Sequence, residues 1–232
     1  MSNPFIPTAL ISRRVELQHI SQILQQDGDF LVVGAPGTGR HTLIRAAAQQ
    51  VGARMIEIDC LRSTSANRFL RLLADGFTEA FPQPKELARI EEWSGDHALF
   101  LEHLGANHRP RLTWQAAAGK EWGLFQTLLA LPQRMAEWLD CRVVIVFQNF
   151  PHIRSWDRSG KWEHYLRQEV QRQSRVSYAL VTTVAEPWVQ DSHHLQVIPL
   201  APLDNSDLEP WIVAAMTEVG FEFDRESQAL AA

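Results

Sequence analysis

The chain has 232 residues, 45% hydrophobic and 21% charged, with no Ser/Gly/Pro-rich tract and no internal repeat. That composition excludes a disordered or fibrous chain and is enough for one large α/β domain. A formal net charge of -5 argues against coating nucleic acid through bulk charge. One local basic run stands against it: Arg40, Arg45, Arg54, Arg62, Arg68 and Arg71, opposed by Glu57 and Asp59, for which solvated helix faces are the favoured reading. Cys60 and Cys141 lie far apart without metal-ligand spacing and read as reduced thiols. No stretch approaches the ~18 apolar residues of a membrane span and no basic-then-apolar leader opens the chain, so the expected location is the cytoplasm, with no membrane partner.

Residues 9–26 place Leu17, Ile20, Ile23 and Leu24 at helical spacing. "DGDFLVVGA" reads as a buried strand broken by Gly34, Gly37 and Gly39, after which "RHTLIRAAAQQVG" is helical until Gly52 stops it. "ARMIEIDC" is a second strand, and Phe69, Leu72, Leu73, Phe77 and Phe81 predict a helix starting at Ser65. The strand–helix alternation implies a parallel sheet covered on both faces. Residues 82–120 interrupt that rhythm and read as a helical insertion followed by a polar surface loop, the first choice for a partner-specific surface. "EWGLFQTLLALPQRMAEWLD" is a helix that Pro132 kinks or divides. "RVVIVF" predicts a central strand, "GKWEHYLRQEVQRQSR" a helix, "VSYALVTTV" and "HHLQVIPL" two more strands, and 204–232 a helical segment.

The loop at Gly34 follows the phosphate-binding pattern G-x-x-x-x-G-K-[ST] in its backbone part. It reads Gly34, Ala35, Pro36, Gly37, Thr38, Gly39, Arg40, His41, Thr42. Such a loop surrounds an anion with backbone N–H groups at a helix N-terminus, while Lys and a hydroxyl complete the phosphate and magnesium contacts. Here Arg40 stands at the Lys position and His41 at the hydroxyl position. A planar guanidinium is larger than an ammonium and differently aimed, and imidazole is a poor magnesium ligand. Thr42 is displaced by roughly 100° of helix from the hydroxyl position. The second half of an ATP site is an apolar strand ending in two acids. The strand "VVIVFQNF" ends instead in Gln148 and Asn149, amides that hydrogen-bond but cannot act as a general base near neutral pH.

On these residues the chain resembles P-loop ATPases of the AAA+ and STAND group, nearest to the origin-recognition-like and archaeal-type ATPases. Further carriers are "LISRRVELQHISQIL" with its Arg-x-x-Glu, "MIEIDC", "YALVTTV" and "VIPLAPLDNSDLEPWI". The resemblance covers most of residues 8–228. It implies an α/β, three-layer P-loop NTPase-like fold with a mostly parallel central sheet flanked by helices: an NTPase-like domain over 1–203 and the start of a helical lid over 204–232. It also implies a polar residue facing the γ-phosphate at Thr182 or Thr183, with Thr183 taken as the site residue. Arg172 and Arg175 are candidates for trans-acting arginines, although solvated helix-end residues are the favoured reading.

With the framework kept and four catalytic positions changed, the expected function is a catalytically inactive AAA+-like pseudo-ATPase, an adaptor, scaffold or regulatory subunit of a multiprotein complex, with DNA reached through that complex. The alternatives are a nucleotide switch that binds ATP or ADP without hydrolysis, or an ATPase with a non-standard site, and a DNA-binding module. No bound metal is expected. His193 and His194, adjacent on a strand, would point to opposite faces and do not suggest a metal site. Of the eight tryptophans, some belong to the core and an exposed subset is a candidate protein-binding surface.

Overall fold

The computed structural model describes residues 10, 12–103, 105, 109–115, 119–169, 173–185, 187–188 and 195–218. In chain order these form α1 (Arg14–Gln25), β1 (Asp29–Gly34), α2 (Arg40–Gln50), β2 (Arg54–Asp59), α3 (Ala66–Ala80), α4 (Pro84–Gly95), β3 (Leu99–Glu102) and β4 (Arg111–Trp114). They continue with α5 (Glu121–Leu139), β5 (Val143–Gln148), a 3-10 turn (Phe150–Ser155), α6 (Lys161–Glu169), β6 (Val176–Thr182), β7 (Leu195–Leu200) and α7 (Asn205–Glu218). Arg172, His193 and His194 lie outside the described residues, as does the chain beyond 218.

Five strands form a sheet in the order β2-β5-β6-β1-β7, and every neighbouring pair is parallel. Alternation along the central strands sends Val143, Ile145 and Phe147 to one face and Val144 and Val146 to the other. On the second face Ile20, Ile23 and Leu24 of α1 and Leu43, Ile44 and Ala47 of α2 cover the strands. On the first, α3, α5 and α6 build a core rich in aromatic rings. A parallel sheet needs both faces covered, which is why β5 and β6 are apolar at nearly every position.

Local signals set the boundaries. The Ser65 hydroxyl accepts from the Arg68 N–H at 3.2 Å and starts α3 where the sequence places it. Gly52, at φ 69°, ends α2 with a paired set of bonds: its N–H donates to Gln49 at 3.2 Å, and that of Ala53 to Ala48 at 2.8 Å. Pro132 does not divide α5, which runs unbroken from Glu121 to Leu139. The Gln173 side chain donates to the carbonyl of Leu129 at 2.8 Å, one residue past the Leu128 carbonyl that Pro132 leaves without its helical donor.

The insertion differs from the sequence reading. Among its described residues only Pro84–Gly95 is helical, and β3 and β4 pair antiparallel as a separate two-stranded sheet. Leu99, Leu101 and Leu112 turn inward while Phe100, Glu102 and Arg111 face out, a two-residue period hidden in strands of four residues. The tryptophans are mostly structural. Trp93 and Trp162 are buried, and Trp114, Trp122, Trp156 and Trp188 pack half-buried against the same core. Trp138 is the tryptophan found among the exposed large hydrophobics of the described residues.

A polar cluster secures α6. The Asp157 carboxylate accepts from the N–H groups of Trp162 and Glu163 at 2.8 and 3.0 Å, and buried Glu163 takes two bonds from Arg154 at 2.6 and 2.8 Å and a further one from Arg167. Burial pushes the Glu163 carboxyl up, but the hydrogen bonds and charges of Arg154 and Arg167 outweigh it and hold the group below the usual carboxylate range. A depressed folded value means stability that is complete above the ordinary carboxyl range and lost as pH falls through the folded one. Melting temperatures of the wild type and Glu163→Gln are therefore expected to differ at pH 7 and to converge on acidification below about pH 4. A gap unchanged down to that pH would show that the charge of Glu163 contributes nothing. No helix among the described residues is long and apolar enough to cross a membrane.

Candidate phosphate-loop site

The glycine loop lies between β1 and α2, at the carboxyl edge of the sheet. Gly37 and Gly39 take φ of 89° and 82°, values that an L side chain rarely adopts, and Gly39 caps α2 without a side-chain bond. At Gly34 a Cβ would lie 2.8 Å from the Leu200 carbonyl oxygen and 2.9 Å from the Thr38 hydroxyl, so close passage of β7 requires glycine there. Thr38 braces the turn, its hydroxyl donating to the Ala35 carbonyl at 2.9 Å. Pro36 and Thr42 flank this frame on the loop and the first turn of α2.

Arg40 does not reach over the loop. Its Nη1 donates to the carbonyl of Gly34 at 2.9 Å and to that of Thr182 at 3.0 Å, joining the ends of β1 and β6. Burial lowers its pKa from the ordinary arginine value, yet the group remains a cation at neutral pH. His41 turns to the edge strand, with Nε2 2.8 Å from Glu57 Oε2. Arg45 lies 3.2 Å from the same ring nitrogen and 3.6 Å from the same carboxylate. One Nε2 cannot both donate to Glu57 and accept from Arg45; the shorter contact makes it the donor, and Arg45 then acts on the carboxylate by charge.

At the end of β5, Asp59 of β2 stands in register with Gln148. Asn149, at φ 53°, donates from Nδ2 to Asp59 Oδ1 at 3.0 Å, and that oxygen also accepts from the Leu61 N–H at 3.1 Å. Gln148 is half-buried, and its buried Nε2 has no hydrogen-bond partner among the described residues. Three of the four changed positions are thus tied to the protein itself. Of the two threonines, Thr182 is fully buried with its hydroxyl on the Val184 carbonyl at 2.9 Å, whereas Thr183 is exposed. Thr183 lines, with Asn149, Leu61, Pro151, His152 and Val184, a cavity of about 430 Å³.

Sequence reasoning counted Glu57 and Asp59 only as charges opposing an arginine run and missed them as partners of the site. The signal was present: they alternate with core residues Ile56 and Ile58, so both leave β2 on the side away from that core. The Arg-x-x-Glu of the entry segment is an ion pair: Arg13 meets Glu16 at 3.0 Å and donates to the Ala201 carbonyl, fastening the start of α1 just past β7. The arginine run is divided: Arg40 serves carbonyls, Arg45 faces Glu57, and Arg54 pairs with Glu86 at 2.6 Å. Arg175 pairs with Asp140 at the amino end of β6, a strand's length from the loop.

A fully parallel sheet in this order, with a glycine loop entering a helix after β1 and a polar strand end two strands away, defines a P-loop NTPase-like fold. Residues 30–152, more than half of the chain, match the family model described as "ATPase family associated with various cellular activities (AAA)", and the chain belongs to that family. Among curated proteins none matches. Similar solved structures include the Walker-type ATPase paby2304 of Pyrococcus abyssi, with TM-score 0.63, 14% identity and coverage of 96% of this chain and 62% of that one. The Aeropyrum pernix ORC1 protein in complex with DNA has TM-score 0.56, 15% identity and coverage of 92% and 51%. Cdc6p from Pyrobaculum aerophilum has TM-score 0.56, 14% identity and coverage of 96% and 53%. At these identities the likeness is one of fold, and the chain spans about half to three-fifths of the length of these structures.

Proposed function

We propose that this AAA-family chain does not hydrolyse ATP and serves as an adaptor, scaffold or regulatory subunit of a cytoplasmic multiprotein assembly, reaching DNA, if at all, through that assembly. The observation that carries the proposal is the inward engagement of the changed residues: Arg40 on two carbonyls, His41 on Glu57 and Asn149 on Asp59. The donors fit magnesium poorly, since protein sites for this ion rely on one or two carboxylates with phosphates and waters in octahedral array. An imidazole stands at the hydroxyl position, two amides stand where acids would be, and the nearby Asp59 oxygen already accepts two N–H groups. The amides at the end of β5 cannot deprotonate a water near neutral pH, and the neighbouring Asp59 carboxylate is held by the Asn149 side chain and the Leu61 N–H.

One observation favours nucleotide binding without hydrolysis as a second reading. The backbone frame of the loop is retained, and the first turn of α2 has no side-chain cap competing for its N–H groups. ATP or ADP held there would bind through phosphate and backbone alone.

The test is phosphate release from ATP with magnesium, joined to calorimetric titration of ATP and ADP with and without the metal. Release is expected at the no-protein background, and any binding is expected to be equal in both metal conditions. A magnesium-dependent rate that disappears in Arg40→Ala would overturn the proposal.

A further inference from the structure

Ser12 and Arg13, just ahead of α1, take φ of 54° and 62°, a left-handed backbone that residues other than glycine seldom adopt. Arg13 is the N-cap of α1, where the helix dipole disfavours a cation, and its side chain is only 10% exposed. The guanidinium is held by the Glu16 carboxylate at 3.0 Å and by the Ala201 carbonyl, to which it donates. Its Nε, also buried, has no hydrogen-bond partner among the described residues. A buried cation with one N–H unmet, on a left-handed backbone and at the positive end of a helix, is a contact maintained against several opposing costs.

Arg13 grips the root of α7. Residues 201–204 join β7 to that helix. The Asp204 carbonyl accepts from the N–H groups of Asp207 and Leu208 at 3.0 and 3.2 Å, inside the first turn of α7 itself. The bond from Arg13 to Ala201 is the hydrogen bond that ties this linker to another element among the described residues. α7 buries none of its described side chains, Leu208, Trp211 and Ile212 included, so packing holds it less firmly than α1 to α6, each of which buries apolar residues. Leu200, the residue before Ala201, is in register with Gly34, so the root of α7 stands beside the glycine loop.

We propose that Arg13 is a releasable latch. Closed, it clamps the root of α7 to the start of α1 and sets where α7 stands relative to the glycine loop; open, it frees α7 to turn about residues 201–204. Glu16 is its positioning residue: three places on, it lies on the same side of the first turn, holds the guanidinium and offsets its charge at the helix N-terminus. The closed state carries the costs named above, which brings the open one within reach of a modest perturbation. The device requires neither nucleotide nor hydrolysis, and a segment with two positions is a means by which a regulatory subunit can alter its contacts.

Hydrogen–deuterium exchange followed by mass spectrometry, on the whole chain, tests the latch in the wild type, Arg13→Ala and Glu16→Gln. Amides of α7 are expected to exchange about tenfold faster in Arg13→Ala, and less markedly faster in Glu16→Gln, while those of β1, β5 and β6 keep their wild-type rates. A merely structural role for Arg13 would raise exchange in β1, which α1 covers, together with α7, and that result would overturn the proposal. So would α7 amides that exchange at one rate in all three proteins. Should Arg13→Ala fail to fold, the comparison of Glu16→Gln with the wild type decides alone, since an amide of the same size replaces a carboxylate there.

Discussion

Phe69→Ala is expected to lower stability by about 3–5 kcal/mol, the usual cost of removing a buried aromatic ring. Phe69 is fully buried on α3 and meets four rings from four other segments: Phe125 of α5 at 5.9 Å, Phe147 of β5 at 6.1 Å, Trp156 at 5.5 Å and Trp162 of α6 at 6.1 Å. No single neighbour can close the space that truncation leaves, because each is held by further rings, as Trp162 is by Phe125 at 4.4 Å and by Trp122 at 5.7 Å. Against a total of about 5–15 kcal/mol this loss is a large share, and it corresponds to a fall in melting temperature of roughly 6–20 °C for a domain of this size. The consequence reaches the candidate site, since Phe147 immediately precedes Gln148 on β5. Urea denaturation of Phe69→Ala beside Trp138→Ala makes the measurement. Trp138 is 40% exposed, and its loss should cost far less. Equal costs in the two variants would mean that the aromatic cluster is not the main support of this face.

That cluster also marks the limit of what the sequence discloses. The spacing of Phe69, Leu72, Leu73 and Phe77 foretells α3 and its buried stripe, and the β-branched run from Val143 to Val146 foretells a central strand, because each signal is local and repeats with the period of its element. The glycine loop is legible for a similar reason: a backbone that must take positive φ at Gly37 and Gly39 requires that residue type at that spacing. The β3–β4 hairpin is not legible, since four residues per strand carry too few alternations to outweigh a helical pattern nearby. Nor are the partners of the changed residues. Sixteen positions separate His41 from Glu57 and ninety separate Asn149 from Asp59, and only the register of β2 on β5 brings the second pair together. The identities of Arg40 and Asn149 suggest altered chemistry; that both turn inward to hydrogen-bond the protein depends on tertiary geometry no local pattern encodes.

The inward arrangement makes restoring the acids a sharp test of the metal-blind reading. In the double variant Gln148→Asp/Asn149→Glu, the Nδ2 donor to Asp59 disappears and two carboxylates join Asp59 at one end of the sheet. Without a cation, the lost bond and the like charges are expected to cost about 1–3 kcal/mol. Adding magnesium should recover part of that loss, because an ion that binds only the folded state stabilises it by RT ln(1 + [L]/Kd). The wild type, with amides at the end of β5 and Asp59 already occupied, should melt at the same temperature with and without the metal. Thermal denaturation of both proteins across a magnesium series gives the answer. If the variant is as stable as the wild type in chelator, the Asn149–Asp59 bond is not a clasp that stabilises this edge. A wild type that itself gains stability from magnesium would place a metal among these residues and return hydrolysis to consideration. The expected pattern, sensitivity created by two substitutions and absent before them, would locate the loss of metal binding in the amides at the end of β5 while the loop backbone stays intact.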